Sequence, residues 1–177
     1  MPEIQIRPAA TPDIKTILTL EHSAESDYVW QLEVRREPSQ LEANLREVRL
    51  PRSVPLIYPR TTEKLADEWN KTNMLVALIA DKPVAYLRMT DQVVPGTVWI
   101  TDLVVGRAHR RKGIGTALVI SAHTWATQMG NRRAVLEMQS KNSAAVRLAQ
   151  KLGYEFCGYN DQYYVTRDVA LFFGRLL

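Results

Sequence analysis

Residues 110–116 form a basic turn whose two glycines suit it to binding an anion. The apolar, β-branched stretch before the turn, residues 98–105, predicts a buried strand, and the apolar spacing after it predicts a helix that stops at Gly130. A helix that begins at glycines leaves several backbone N–H groups without an intrahelical acceptor, beside the positive end of its dipole. The turn therefore predicts an anion site, and a pyrophosphate fits it best.

The glycine spacing separates this turn from two common phosphate-binding loops. A P-loop requires Gly, four residues and then Gly-Lys-Ser/Thr, and the sequence contains no such string. The dinucleotide-binding fingerprint requires Gly or Ala three residues after its second glycine, where this chain has Leu118. A solvated basic turn with glycine caps stays open as the alternative.

A second motif follows the turn. Residues 134–138 predict another strand, and Asn142 or Ser143 is placed to cap a helix after it. Gly153 is expected to end that helix in the left-handed conformation. The apolar face of the helix consists of Ala145, Leu148 and Leu152.

Together the two motifs resemble the signatures of the GCN5-related N-acetyltransferase (GNAT) superfamily. The first, Arg/Gln-x-x-Gly-x-Gly/Ala, matches Arg110, Gly113 and Gly115, and the second matches Asn142 and residues 151–154. In this superfamily the first motif binds the pyrophosphate of acetyl-CoA. Two motifs in the right order and at the right separation make the resemblance specific.

The resemblance is specific over about residues 74–160 and implies a fold and an activity. The implied fold is a single α/β N-acetyltransferase domain over residues 1–177, with a mixed, mostly antiparallel sheet flanked by helices. The implied activity is direct transfer of an acetyl group from acetyl-CoA to a primary amine, without a metal. The acceptor stays open between a small-molecule amine or antibiotic and a protein or peptide amine. Residues 160–164 and the apolar C-terminal end resemble, more diffusely, streptothricin acetyltransferases, which implies an aminoglycoside-like or β-lysyl acceptor.

The resemblance also implies which residues bind the coenzyme. Backbone N–H groups of residues 111–116 are expected to hold the phosphates, with the Arg110 and Lys112 side chains nearby. The main chain of residues 103–105 is expected to bind the pantetheine arm and the thioester carbonyl. The complete expected set is Leu103, Val104, Val105, Arg110, Arg111, Lys112, Gly113, Ile114, Gly115, Thr116 and Asn142.

Two carboxylates are candidates for the catalytic base. The amine must lose a proton, because an alkyl ammonium with a pKa of ~10.4 is almost wholly protonated at neutral pH. Asp102 is the first candidate, acting directly or through water. Its alternatives are an outward-facing strand carboxylate or a partner for an arginine. Glu137 is the second candidate, near the point where two strands should diverge, and its alternative is an ion pair with residues 132–133.

The usual general acid is missing. Many relatives have a tyrosine seven residues after the capping asparagine, where this chain has Ala149. A free thiol has a pKa of ~8.5, so its thiolate is a tolerable leaving group without an acid. Tyr159, Tyr163 and Tyr164 are candidate replacements, with core or rim packing as their alternative. Cys157 as an acyl carrier is disfavoured, because no histidine stands near it in sequence.

Acceptor binding is expected to involve residues 21–35, where acidic side chains alternate with Tyr28 and Trp30. A solvated acidic segment with core aromatics is the alternative. Residues 28–34 alternate like a strand, and residues 41–50 fit either a helix or a strand paired with them. Residues 51–59 contain three prolines and are expected to be extended or looped.

Composition sets the remaining limits. The 177 residues are 46% hydrophobic and 24% charged, as expected for one soluble globular domain. The single Cys157 excludes an internal disulfide and suits a reducing cytoplasm. No apolar run approaches the ~20 residues that cross a bilayer, and residues 1–4 do not resemble a signal peptide. The net charge of +4 does not argue for nucleic acid, and the three histidines lack metal-binding spacing.

Two other classes of protein stay open. One is a catalytically weak acyl-CoA sensor, which turnover of acetyl-CoA with any amine would exclude. The other is an interaction module without a working cleft, which a failure of CoA to raise the melting temperature would favour. A homodimer is open as well.

Overall fold

The computed structural model describes residues 3–177, so Met1 and Pro2, part of the segment tested for a signal peptide, lie outside the described residues. No helix among residues 3–177 has the length and apolar character needed to cross a membrane. The elements in chain order are β1 (Gln5–Pro8), α1 (Thr11–Leu18), β2 (Ala24–Glu37), β3 (Gln40–Leu56), α2 (Thr62–Glu68), β4 (Asn73–Ile79), β5 (Lys82–Val94), β6 (Thr97–Val105), α3 (Ile114–Gln128), β7 (Arg133–Gln139), α4 (Ser143–Lys151), β8 (Glu155–Asn160) and β9 (Ala170–Leu176).

Seven strands form the main sheet in the order β1-β4-β5-β6-β7-β9-β8. Only β6 and β7 run parallel, so the predicted mixed, mostly antiparallel sheet is confirmed. Their pairing extends only from Thr97–Arg133 to Ile100–Leu136. Beyond it, β6 pairs with β5 alone and β7 with β9 alone, so a gap opens between residues 101–105 and 137–139. The register of β5 against β6 also shifts by one residue at Thr101, which forms a β-bulge.

The four helices divide between the two faces of the sheet. The α3 and α4 helices contribute Leu118 and Val146 to one apolar cluster, and α1 and α2 contribute Ile17 and Leu65 to another. Since successive strand residues point to opposite faces, Leu103 and Val105 pack toward the first cluster and Val104 toward the second.

Residues 24–56 form a long hairpin, in which β2 and β3 make a separate two-stranded sheet. The strand interpretation of residues 41–50 is confirmed and the helix alternative is wrong. The reason is non-local: Leu45 lies opposite Leu32 and Val48 opposite Val29, so apolar pairs match across the hairpin.

Polar side chains cap the N-terminal ends of α1 and α4. Ala10 precedes α1, and the Asp13 carboxylate accepts a hydrogen bond from the Ala10 N–H at 2.7 Å. Asn142 caps α4 as predicted, since its Oδ1 accepts from the Ala145 N–H at 3.1 Å. Gly153 follows that helix at φ 75°, the left-handed conformation expected of it.

Candidate active site

Asp102 lies on β6 at the mouth of the gap, and its side chain is completely buried. Oδ1 accepts from the Tyr58 hydroxyl at 2.7 Å and from Arg60 Nη1 at 3.1 Å. Oδ2 accepts from Arg88 Nε at 2.8 Å and from the Thr101 hydroxyl at 2.9 Å. A carboxylate offers about four acceptor positions, so those of Asp102 are filled. The outward-facing alternative for this residue is wrong, and the arginine-partner alternative matches the structure.

Glu137 lies across the gap on β7, with a side chain only 3% exposed. Its Oε1 accepts from Arg60 Nη2 at 2.8 Å and from the Tyr164 hydroxyl at 3.2 Å. Its Oε2 accepts only from the Tyr163 hydroxyl, at 3.3 Å. The alternative pairing with residues 132–133 is therefore wrong. Because Tyr163 is 43% exposed, the oxygen that it contacts lies toward the open side of the site.

Arg60 bridges the two diverging strands from the loop before α2. Burial alone would lower the pKa of its guanidinium, but attraction to Asp102 and Glu137 outweighs burial and raises that pKa. Arg60 is therefore a permanent cation between two carboxylates. Arg88 adds a second cation, whose Nη1 also lies 3.9 Å from a carboxylate oxygen of Glu68.

The tyrosines around the carboxylates are neutral hydrogen-bond donors. Burial, and then the charge of the nearby carboxylate, raises the pKa of Tyr164 far above its ordinary value. Burial is also the largest cause of the raised pKa of Tyr58 and of Tyr86, whose hydroxyl oxygens lie 3.2 Å apart. The Tyr163 pKa is raised as well, first by burial and then by Glu137.

His22 packs against this cluster from the loop after α1. Its ring lies 4.8 Å from that of Tyr58 and 5.8 Å from that of Tyr86, measured between centroids. Nδ1 is 2.7 Å from the carbonyl oxygen of Leu20, and burial lowers the pKa of the imidazole. The ring is therefore neutral, with Nδ1 donating its proton to that carbonyl. No group of three or more metal-ligating side chains occurs among residues 3–177.

The turn between β6 and α3 exposes backbone donors, as the sequence predicted. Within the described chain, none of the six N–H groups of residues 111–116 has a hydrogen-bond acceptor. The first bond of the helix runs from the Ala117 N–H to the carbonyl of Gly113 at 3.0 Å. Arg111 at φ 63° and Gly113 at φ 83° turn the backbone. Consecutive unpaired N–H groups at the start of a helix are an arrangement that favours an anion.

The turn lies against β6, whose main chain is expected to bind the pantetheine arm, and against α4, which Asn142 caps. A Cβ atom at Gly115 would lie 3.7 Å from Leu103, 3.8 Å from Leu148 and 3.9 Å from Val105. The unsatisfied N–H groups and the unpaired edge of residues 101–105 thus lie in one continuous region.

The basic side chains of Arg110 and Lys112 donate hydrogen bonds to main-chain carbonyls. Arg110 donates from Nε to the carbonyl of Val105 at 2.9 Å, and from Nη2 to the carbonyls of Glu21 at 2.6 Å and Ser23 at 2.9 Å. Lys112 Nζ donates to a carbonyl of the preceding turn at 2.9 Å. Both cations contact the protein's own main chain in this structure.

Three other predicted residues occupy defined places. Asn142 uses its Oδ1 as the cap of α4, which leaves its amide Nδ2 as a donor. Ala149 is fully buried against the core. Tyr159 lies on β8 and lines a groove of about 350 Å³ together with Trp30 and Asp161. It makes no hydrogen bond to either carboxylate within residues 3–177, whereas Tyr163 and Tyr164 do.

The expected acceptor-binding segment lies on β2 and the loop before it. Trp30 donates its backbone N–H to the carbonyl of Ser140 at 2.9 Å, which joins the hairpin to the end of β7. The Tyr28 ring already stacks on a cation of the chain, with the Arg147 guanidinium carbon 4.7 Å from its centroid. The Tyr28 face is therefore occupied, and Trp30 is the aromatic residue that lines the groove.

Sequence reasoning missed Arg60, Tyr58 and Arg88. Arg88 carried a readable signal, because a charged residue inside the apolar run 84–89 needs a buried partner. That partner is Asp102, directly opposite it on β6. Arg60 and Tyr58 lie in a loop without periodicity, and the sequence offered no comparable signal for them.

Known proteins resemble this chain in sequence and in fold. Residues 41–154 match the model of the Acetyltransferase (GNAT) family. The chain therefore belongs to the GNAT family, as its two motifs predicted. Over 65 residues, 37% of this chain, it is 34% identical to the streptothricin acetyltransferase of Streptomyces lavendulae and 35% identical to YobR of Bacillus subtilis strain 168, an uncharacterized N-acetyltransferase. Those segments span only 34% and 26% of the two relatives.

Solved structures share the fold along the whole chain. A nourseothricin acetyltransferase superposes with a TM-score of 0.80 at 21% identity, covering 98% of each chain. A Bacillus anthracis strain Ames protein, provisionally named a streptothricin acetyltransferase and crystallised with acetyl coenzyme A, gives 0.77 at 19% identity. It covers 99% of this chain and 100% of its own. The predicted GNAT fold is thus confirmed.

Proposed function

We propose that this protein is a single-domain N-acetyltransferase that moves an acetyl group directly from acetyl-CoA to a primary amine. The observation that carries the proposal is the row of six unsatisfied N–H groups at residues 111–116, continuous with the open edge of β6. Family membership and the acetyl coenzyme A bound by the structural neighbour support it. A reducing cytoplasm suits the free, exposed Cys157.

The coenzyme would be held mainly by the main chain. The N–H groups of residues 111–116 bind the diphosphate, with the helix dipole behind them. The edge of residues 103–105 takes the pantetheine arm as a neighbouring strand would, since β7 has diverged from it. The free amide Nδ2 of Asn142 donates to the coenzyme from α4.

Glu137 is the better base of the two predicted carboxylates. A base must accept a new proton, and the acceptor positions of Asp102 are already filled by four donors. Glu137 Oε2 has one long contact, with the partly exposed Tyr163, and keeps an open acceptor position. Asp102 is then a positioning residue, which fixes Arg60 and Arg88 around the gap.

The transfer then proceeds in one displacement. Glu137 takes a proton from the bound ammonium, and the neutral nitrogen attacks the thioester carbonyl carbon. A C–N bond forms, the C–S bond breaks, and the sulfur leaves as a thiolate, whose conjugate thiol has a pKa of ~8.5. The nitrogen loses its second proton as the amide forms, the thiolate takes up that proton to give free CoA, and Glu137 returns its own proton to solvent. No acid is required at the position of Ala149 for that departure.

A cationic amine is the acceptor class that the charges favour. Among residues 3–177, the carboxylates of Asp102, Glu137 and Glu68 form ion pairs with two guanidinium groups, those of Arg60 and Arg88, so this group of five side chains has one excess negative charge. The names of two relatives make a streptothricin-type amine the first acceptor to test.

The test is release of free thiol from acetyl-CoA with a panel of amines that includes nourseothricin. We expect turnover with at least one cationic amine, and binding of CoA that raises the melting temperature. Gly113→Glu should lose CoA binding, because it puts a carboxylate among the phosphate donors. Gly113→Ala is the matched control, since it adds only the left-handed strain of about 1–2 kcal/mol. CoA binding without turnover of any amine would favour the sensor alternative, and no CoA binding would exclude both.

A further inference from the structure

Arg110 joins two distant parts of the chain. Its guanidinium donates three hydrogen bonds, and all three acceptors are main-chain carbonyls. One of them is Val105 at the end of β6, and the others are Glu21 and Ser23 in the loop between α1 and β2. This one side chain therefore holds residues 21–23 against β6, the strand that precedes the turn of residues 110–116.

The fastened segment carries His22 between its two bonded carbonyls. The His22 ring packs on Tyr58 and Tyr86, and the Tyr58 hydroxyl donates to Asp102 at 2.7 Å. A continuous series of contacts thus runs from Arg110 in the basic turn, through residues 21–23, to Tyr58 and Asp102 at the gap between β6 and β7. Movement of that segment would change how His22 supports Tyr58.

The contact geometry requires a guanidinium. Its planar fork presents donors in several fixed directions, so it can bond carbonyls of two separate segments at once, which an ammonium on a flexible stem does poorly. The neighbouring N–H groups of residues 111–116 already supply donors for an anion. With its Nε and Nη2 occupied, Arg110 is placed for a structural task and not for the phosphates.

We propose that Arg110 is a positioning residue that holds the segment 21–23 against β6 and so fixes one wall of the acceptor side of the site. The diphosphate is bound by the backbone of residues 111–116 without the Arg110 side chain. That the turn binds CoA and that the gap binds an amine acceptor rests on the proposed function. The contact between Arg110 and the segment 21–23 does not depend on it.

The test compares Arg110→Lys, which keeps the charge, with wild type in the absence of any ligand. Hydrogen–deuterium exchange of peptides covering residues 19–26 should accelerate by about tenfold, because charge-assisted hydrogen bonds that close this loop are lost. The affinity for CoA, measured by calorimetry, should change by less than about threefold, whereas loss of a phosphate contact costs about tenfold. Arg110→Met should behave in the same way.

Arg111→Met is the matched control, because it removes the adjacent cation of the same turn. It should weaken CoA binding and leave exchange over residues 19–26 unchanged. If either Arg110 variant binds CoA tenfold more weakly, or if exchange over residues 19–26 is unaltered in Arg110→Lys, the proposal is overturned. Failure of wild type to bind CoA would overturn the proposed function alone, since the exchange comparison needs no ligand.

An NMR titration separates local positioning from general destabilisation. Burial lowers the pKa of His22, with Tyr58, Tyr86, Asp102 and Glu21 around it. In Arg110→Lys the loosened segment should hydrate the ring, and the His22 pKa should rise toward its ordinary value. His123, which burial also affects but which lies on α3, is the internal control and should not move. Equal shifts at both histidines would contradict the proposal.

Discussion

Asp102 and Glu137 lie on strands that diverge, and one guanidinium joins them: Arg60 Nη1 is 3.1 Å from Asp102 and Nη2 is 2.8 Å from Glu137. The two carboxylates are alike in charge and burial but differ in acceptor capacity. Asp102 is saturated by four donors, and Glu137 has an oxygen with a single long contact. This difference allows the two residues to be separated experimentally.

Glu137→Gln should lower kcat by about 10²–10⁴, the range that a positioned general base supplies. Arg60 is 20% exposed and keeps its ion pair with Asp102 in this variant, so the melting temperature should fall less than in Asp102→Asn. Steady-state rates with the acceptor found by the thiol assay, together with a thermal melt, measure both quantities. Full activity in this variant would exclude Glu137 as the base.

Asp102→Asn should act mainly on stability. It leaves the buried Arg88 with only its 3.9 Å contact to Glu68, and removal of one partner of a buried ion pair costs about 3–5 kcal/mol. Urea unfolding would detect the loss as a lower midpoint. A variant that unfolds like wild type and yet loses activity at every pH would instead assign the base to Asp102.

Two substitutions at Asn142 separate its role as the cap of α4 from its proposed contact with the coenzyme. Asn142→Ala removes both, and loss of the cap should cost about 1 kcal/mol of stability. Asn142→Asp keeps a cap oxygen for the Ala145 N–H but loses the amide donor. We therefore expect it to retain stability in urea and to bind CoA more weakly by calorimetry. Unchanged CoA affinity in both variants would remove Asn142 from the coenzyme site.

Ala149→Tyr tests whether the missing acid can simply be restored. Ala149 has no exposed surface and packs in the main core between α4 and the sheet. A tyrosine there would overpack the core and should cost about 1–3 kcal/mol or more. Thermal unfolding would show a lower midpoint, and kcat should not rise. A stable variant with a faster rate would mean that α4 can shift to admit the ring.

Stability should decrease in mildly acidic solution because of two histidines. Burial lowers the pKa of both His22 and His123 below the ordinary 6.5. Below that pH the unfolded chain binds protons that the folded chain does not, so the free energy of unfolding falls as the pH is lowered through about 6.5 and below. Urea titrations at several pH values would show this slope, and His123→Gln should reduce it. An unchanged slope in that variant would contradict the assignment to His123.

A second loss of stability is expected at lower pH. Arg7 holds the pKa of Asp13 below its ordinary 3.8 through a 2.7 Å hydrogen bond. A carboxyl whose pKa is lower in the folded chain than in the unfolded chain stabilises the fold at pH values above its unfolded pKa. That stabilisation is lost as the pH falls through the folded pKa. In Asp13→Asn the urea concentration at the midpoint of unfolding should therefore depend less on pH than in wild type, and only below about pH 4.

The sequence was sufficient to predict those turns and helix ends whose determinants lie within a few residues of each other. The turn at Gly113, the cap at Asn142 and the stop at Gly153 depend on backbone geometry that particular residue types favour, and all three occur where predicted. The apolar pattern likewise predicted the strands and helices between residues 98 and 153.

The hairpin and the polar cluster depend on contacts between distant residues. Residues 41–50 became a strand because β2 offered matching apolar partners, which periodicity within one segment does not reveal. Arg60 reaches Glu137 from 77 residues away in sequence, and Arg110 turned toward Glu21 and Ser23 only because the fold places that loop beside β6.

The sequence by itself was enough to predict the family, the mixed sheet and the turn with unpaired N–H groups at residues 111–116, because glycine and cap residues act on their immediate neighbours. Only the tertiary structure decided which carboxylate has an open acceptor position and where each arginine donates. Burial makes hydrogen-bond pairing obligatory for charged groups, and which partners are within reach is set by how the strands and loops pack.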